Sequence, residues 1–127
     1  MSKTRFNDVQ PVLPVRNVER ALRFYLDRLG FVLAFRDRPG PDANYVGVRR
    51  DNVEVHLQWH DEVDFKGVEA GTLMLRFVVD DPDALFGEYK EKGVFHERTH
   101  LADTPWGTRE FAFFDLDGNG LTFYRNR

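Results

Sequence analysis

The chain repeats itself. Val15 and Tyr25 stand ten positions apart, and so do Val79 and Tyr89; around each pair the pattern runs strand, helix, then three strands. A sheet in such a unit rests one face on its helix and leaves the other bare, so neither copy is complete alone. The fold class that follows is α+β: two βαβββ modules, about residues 7–60 and 71–126 of one domain spanning 1–127, forming a curved mixed sheet around a groove. That groove is the default place for a ligand.

In the first copy, Val9–Val15 reads as a short strand whose two prolines confine it to an edge or a strand exchange. Asn17 is the expected N-cap of a helix with Val18, Ala21, Leu22, Tyr25, Leu26 and Leu29 on its apolar face, stopped by Gly30. A strand over Phe31–Arg36, a loop at Pro39–Asp42, and a hairpin of Tyr45–Arg49 with Asn52–Trp59 complete it. His60–Gly71 is polar and without period, hence a linker. In the second copy, Thr72–Val79 is a strand. Asp81 caps a helix with Pro82 in its first turn and Leu85, Phe86 and Tyr89 inward, and Gly93 ends it. Strands are expected at Phe95–Thr99, Glu110–Phe114 and Leu121–Tyr124.

Composition narrows the function classes. With no cysteine the chain has no disulfide, thiolate nucleophile or thiolate metal ligand, which suits a reducing compartment, so the cytoplasm is the expected location. The formal net charge is −3 with signs interspersed; no basic stripe points to nucleic acid, and no run approaches a membrane span. Ser2 is the only serine, so a serine triad is excluded in practice. Twelve Phe in 127 residues imply a well-filled interior, extra aromatic surface for binding, or both.

Strand alternation sorts the side chains. Glu54, His56 and Gln58 face the groove, as do Met74 and Arg76, Thr122, and Gln10 with Val12. Glu54 and Arg76 are expected to pair across neighbouring strands when no ligand is present. Trp59 falls on the helix side. His56 in a polar groove reads first as a hydrogen-bonded side chain. The segment Pro105-Trp106-Gly107 sets an indole between turn formers, where it either stacks on a flat ligand or caps the core. Asp115-Leu116-Asp117-Gly118-Asn119 lacks the later glutamate of a calcium loop and reads as a β-turn.

These residues resemble the glyoxalase/bleomycin-resistance/extradiol-dioxygenase (vicinal oxygen chelate) superfamily over about Val9 to Tyr124. Leu13-Pro14-Val15-Arg16-Asn17-Val18-Glu19-Arg20-Ala21, Phe24-Tyr25, Leu29-Gly30-Phe31 and Asp115-Leu116-Asp117-Gly118-Asn119 carry the likeness. Pro105-Trp106-Gly107 with Arg109-Glu110-Phe111-Ala112 is similar to the bleomycin-resistance proteins within it. The resemblance implies a homodimer with two interface grooves, often with an exchanged N-terminal strand. It implies a small-molecule ligand of bleomycin type, held between Trp106 of one subunit and Phe35 of the other; the polar side chains Glu54, His56, Arg76 and Glu110 are the further contacts expected from the groove itself. It also implies sequestration without chemistry and without a cofactor. Phe35 is equally suited to the subunit interface.

The enzymes of the superfamily hold a divalent ion at four positions, which here fall on Gln10, His56, Met74 and Thr122. Two of these are poor ligands for such an ion. His56 with His60, and His96 with His100, are each too far apart along a strand to share one ion. Two enzymatic readings stay beside the binding one. The first is a divalent-metal lyase or dioxygenase that adds Glu54 or Glu110 to Gln10 and His56. The second is a metal-free isomerase with Glu54 or His56 as base.

Overall fold

The structure is a computed structural model that describes residues 1–127. The first module contains β1 (Val12–Val15), α1 (Val18–Arg23), β2 (Val32–Arg36), β3 (Tyr45–Arg50) and β4 (Val53–Trp59). The second contains β5 (Met74–Val78), α2 (Pro82–Glu91), β6 (Ala102–Asp103), β7 (Thr108–Phe114) and β8 (Gly120–Asn126). Each module closes its own four-stranded mixed sheet. Sheet A runs β1-β4-β3-β2 and sheet B runs β5-β8-β7-β6. The one parallel pair in each sets the first strand of the module beside its last, β1 with β4 and β5 with β8.

The helices form where the caps direct them. Asn17 accepts from the Arg20 N–H and Asp81 from the Ala84 N–H, each supplying an acceptor to an otherwise orphaned donor. α1 continues as one π turn over Phe24–Arg28, and both helices end before a glycine of positive φ, Gly30 at 79° and Gly93 at 69°. Val18, Ala21, Leu22, Tyr25 and Leu29 are buried with Val55 and Leu57 of β4, as the helical spacing predicts.

Three expectations are corrected. The first strand begins at Val12, because Pro11 lacks a donor and the exposed residues before it pair with nothing; Gln10 is therefore outside the sheet. Phe95–Thr99 is not a strand. Phe95 turns inward to pack on Phe86, Phe111 and Phe113, and the edge of sheet B is instead the short β6, paired with Arg109 and Glu110. The linker holds a turn of 3-10 helix at Glu62–Phe65, capped by Asp61 and held by Arg16, which bonds Glu62 at 3.0 Å and lies 3.9 Å over the Phe65 ring.

The modules meet through their helix sides. At one end, the β7–β8 turn plugs into the β1–α1 junction. The Tyr25 hydroxyl donates to Asp115 Oδ2 at 2.8 Å, Asn119 Nδ2 to the Pro14 carbonyl at 3.1 Å, and the Arg16 N–H to Asp117 Oδ1 at 2.9 Å. Burial pushes the Asp115 carboxyl up, opposed by the bonds it receives from Asn119 and Tyr25. At the other end, the β3–β4 turn does not plug the β5–α2 junction. Arg50 reaches Glu88 (2.8 and 3.0 Å) and the Leu29 carbonyl (2.7 Å), and a cavity of about 780 Å3 remains beside Phe31, Phe77 and Leu85.

Candidate functional site

With the helix sides packed together, the two bare sheet faces look outward, and no hydrogen bond, ion pair or ring contact joins one to the other. Each face is a half-site.

On sheet A, alternation puts Val55 and Leu57 in the core and Glu54, His56 and Gln58 on the bare face, as expected. Opposite them on β3, Gly47 pairs with both His56 and Phe35. Without a side chain at Gly47, the Phe35 ring can lie across the strand; a Cβ there would collide with Cδ1 and Cε1 of that ring. Phe35 also stacks on Tyr45 (6.0 Å, 21°) and meets His56 edge-on (5.1 Å, 90°). The polar groups form a line. Arg49 Nη2 donates to Glu54 Oε1 at 3.0 Å, Glu54 Oε2 lies 2.7 Å from His56 Nε2, and His56 Nδ1 lies 2.7 Å from the Tyr45 hydroxyl. The hydrogen bond from His56, joined by Arg49 and opposed by burial, holds the Glu54 carboxyl below its usual range.

On sheet B, Trp106 stands on the loop before β7 and is 67% exposed, which rules out the core-capping role. Its Nε1–H donates to Glu110 Oε1 at 3.1 Å. The Thr108 hydroxyl and Arg76 Nη2 (3.4 Å) reach the same oxygen, leaving Oε2 free of protein partners. Burial pushes the Glu110 carboxyl up, but the bonds from Thr108, Trp106 and Arg76 outweigh it and hold the group below the usual range. Arg76 is steadied by the Tyr124 ring, 4.2 Å from its guanidinium carbon. Beside the indole is a cavity of about 340 Å3 whose lining includes Met74, His96, His100, Ala112 and Phe114 and draws no residue from the first module.

The structure thus brings the six ligand-contact residues together as two groups. Phe35, Glu54 and His56 share sheet A; Arg76, Trp106 and Glu110 share sheet B. The expected Glu54–Arg76 pair does not form, because β4 and β5 belong to different sheets; Glu54 pairs with Arg49 and Arg76 with Glu110. Trp59, at the end of β4, is 46% exposed rather than core. Tyr45 and Arg49 join the site beyond the expected residues; the same alternation that sorts β4 sets them with Gly47 on the bare face of β3.

The four superfamily metal positions do not fit a divalent ion. Gln10 lies outside the sheet, both ring nitrogens of His56 are engaged, Met74 offers a thioether and Thr122 a buried hydroxyl. No three His, Asp or Glu side chains converge elsewhere.

The family model described as the Glyoxalase/Bleomycin resistance protein/Dioxygenase superfamily matches residues 6–123. A bleomycin resistance protein of Geobacillus stearothermophilus is 30% identical over 128 residues, covering 91% of this chain and 93% of that protein. Among solved structures, the bleomycin-binding protein of bleomycin-producing Streptomyces verticillus, in complex with copper(II)-bleomycin, superposes with a TM-score of 0.78. It is 29% identical, over 98% of this chain and 99% of that one. TnmS3, an antibiotic binding protein from Streptomyces sp. CB03234, superposes at 0.70 with 27% identity over 98% and 99% of the two chains. With one family model running through both βαβββ modules into β8, the chain belongs to the glyoxalase/bleomycin resistance protein/dioxygenase superfamily.

Proposed function

We propose that this protein binds and sequesters a bleomycin-type drug as a homodimer in the cytoplasm, in two grooves, without chemistry. Each groove would set sheet A of one copy against sheet B of the other. A flat part of the ligand would lie between Trp106 and the partner's Phe35, with Glu54, Arg76 and Glu110 around it. The observation that carries this reading is Trp106, an exposed indole anchored to Glu110 at the mouth of a cavity walled by the second module alone. A preset aromatic surface with polar groups at its edge is what stacking on a planar ligand requires. The outward-facing half-sites support the dimer, since each lacks an opposing wall within the chain. The bleomycin resistance and bleomycin-binding relatives support the ligand class. No helix of the chain is long and apolar enough to cross a membrane.

The test is calorimetric titration of the purified protein with bleomycin, with sedimentation of the same sample. Saturable binding of one drug per chain by a dimer is expected. A chain that sediments as a monomer, or gives no heat with bleomycin, removes the proposal.

A further inference from the structure

We infer that Tyr45, and not His56, presents the hydrogen-bonding atom beside Phe35 on sheet A, and that Arg49, Glu54 and His56 fix its phenol oxygen as an acceptor for a ligand N–H. The inference deepens the binding function proposed above and rests on it. The argument is one of valence along the line of hydrogen bonds. Arg49 has only donors, and it is bonded to Glu54 Oε1 at 3.0 Å. Glu54 is held ionised, so it has only acceptors, and the 2.7 Å bond between its Oε2 and His56 Nε2 requires the hydrogen to sit on Nε2. With its one ring hydrogen on Nε2, His56 has a bare Nδ1, and the Tyr45 hydroxyl 2.7 Å away donates to it. Both nitrogens of His56 are spent. The single proton of Tyr45 points inward, and its oxygen lone pair is what remains for the groove.

Ring packing holds that oxygen in place. Tyr45 stacks on Phe35 and meets His56 at 5.3 Å and 70°. A flat group resting on Phe35 therefore finds an acceptor at its edge. Sheet B repeats the arrangement with different residues, since Glu110 Oε2 is a free acceptor beside Trp106. The ligand class follows: a planar ring system that carries N–H donors, from an amide, an amine or a ring nitrogen, along its rim.

The relay can be read in the protein alone and reversed by one substitution. In Glu54→Gln the side-chain carbonyl must face Arg49, which has nothing to accept with, so the amide N–H2 faces His56 Nε2. His56 then carries its hydrogen on Nδ1 and donates to Tyr45, whose own proton turns toward the groove. Ring 15N spectra of the ligand-free protein should show the Nε2–H form of His56 in the wild type and the Nδ1–H form in Glu54→Gln. A wild-type Nδ1–H form, or a ring protonated on both nitrogens, overturns the inference. In titrations with bleomycin, Tyr45→Phe and Glu54→Gln should each bind about fivefold to tenfold more weakly than wild type. Unchanged affinity in Tyr45→Phe overturns the inference while leaving the proposed function standing. A wild type that binds no bleomycin fails the proposed function instead, and the ring spectra still decide the direction of the relay.

Discussion

Sheet A and sheet B are copies of one scaffold that solve the same problem by opposite means. On sheet A the aromatic surface is built into a strand: Phe35 lies across Gly47 and is fixed by Tyr45 and His56. On sheet B it is carried on a loop, and Trp106 is steadied chiefly by Glu110, on which Thr108 and Arg76 also converge. One wall is rigid through packing, the other through a single carboxylate oxygen. The difference teaches that duplication preserves the core faces, which must bury the same apolar layer, while the bare faces are free to diverge.

The loop-borne wall should show the largest effect. Trp106→Ala is expected to weaken bleomycin binding by about tenfold to a hundredfold, the scale of a buried aromatic anchor, with an unchanged far-ultraviolet spectrum because the exposed indole supports no core. Equal affinity of the variant and the wild type would mean that sheet B is not a stacking wall. Gly47→Ala attacks the strand-borne wall. The new Cβ displaces the Phe35 ring, so affinity should fall about fivefold and stability by about 1 kcal/mol, read from calorimetry and a denaturant midpoint. If Phe35 is irrelevant to the ligand, only stability moves.

Acid should loosen sheet B through Glu110. Its folded pKa is depressed, so its contribution is complete above the unfolded value of about 4.3 and is lost as pH falls through the folded value. Wild-type tryptophan emission is expected to step as pH falls below the ordinary carboxylate range and the Trp106 bond is released, and the step should vanish in Glu110→Gln. Persistence of the step in that variant would assign it to Trp59. The smallest effect belongs to Arg76→Ala. Its guanidinium is 42% exposed and meets Glu110 at 3.4 Å, so it is a rim contact whose loss should weaken affinity only about twofold; unchanged affinity would remove Arg76 from the ligand contacts.

The helices were legible because their caps and stops are local: Asn17 and Asp81 bond N–H groups three residues on, and Gly30 and Gly93 take the backbone turn that ends them. The bare-face residues of β4 were legible because alternation is also local. A strand over Phe95–Thr99 fits the local pattern because Val94, Phe95 and Thr99 are β-prone, and only the packing of Phe86, Phe111 and Phe113 around Phe95 decides otherwise. The expected Glu54–Arg76 pair fails because no local pattern marks which strands share a sheet, and β4 and β5 lie in different ones. The Asp115 turn was legible as a turn, but its burial under the Tyr25 hydroxyl was not, since that contact spans ninety residues.

By itself the sequence determined the duplication, the order of elements within each copy and the chemistry exposed on each strand, because these follow from periodicity and from bonds a few residues long. The tertiary structure alone decided that the copies join by their helix sides, turning the two ligand walls outward. It also decided that one end of the junction is plugged and the other open, and that His56 has no free nitrogen. Those outcomes depend on which distant groups reach one another once the core is buried, and no local pattern encodes that distance.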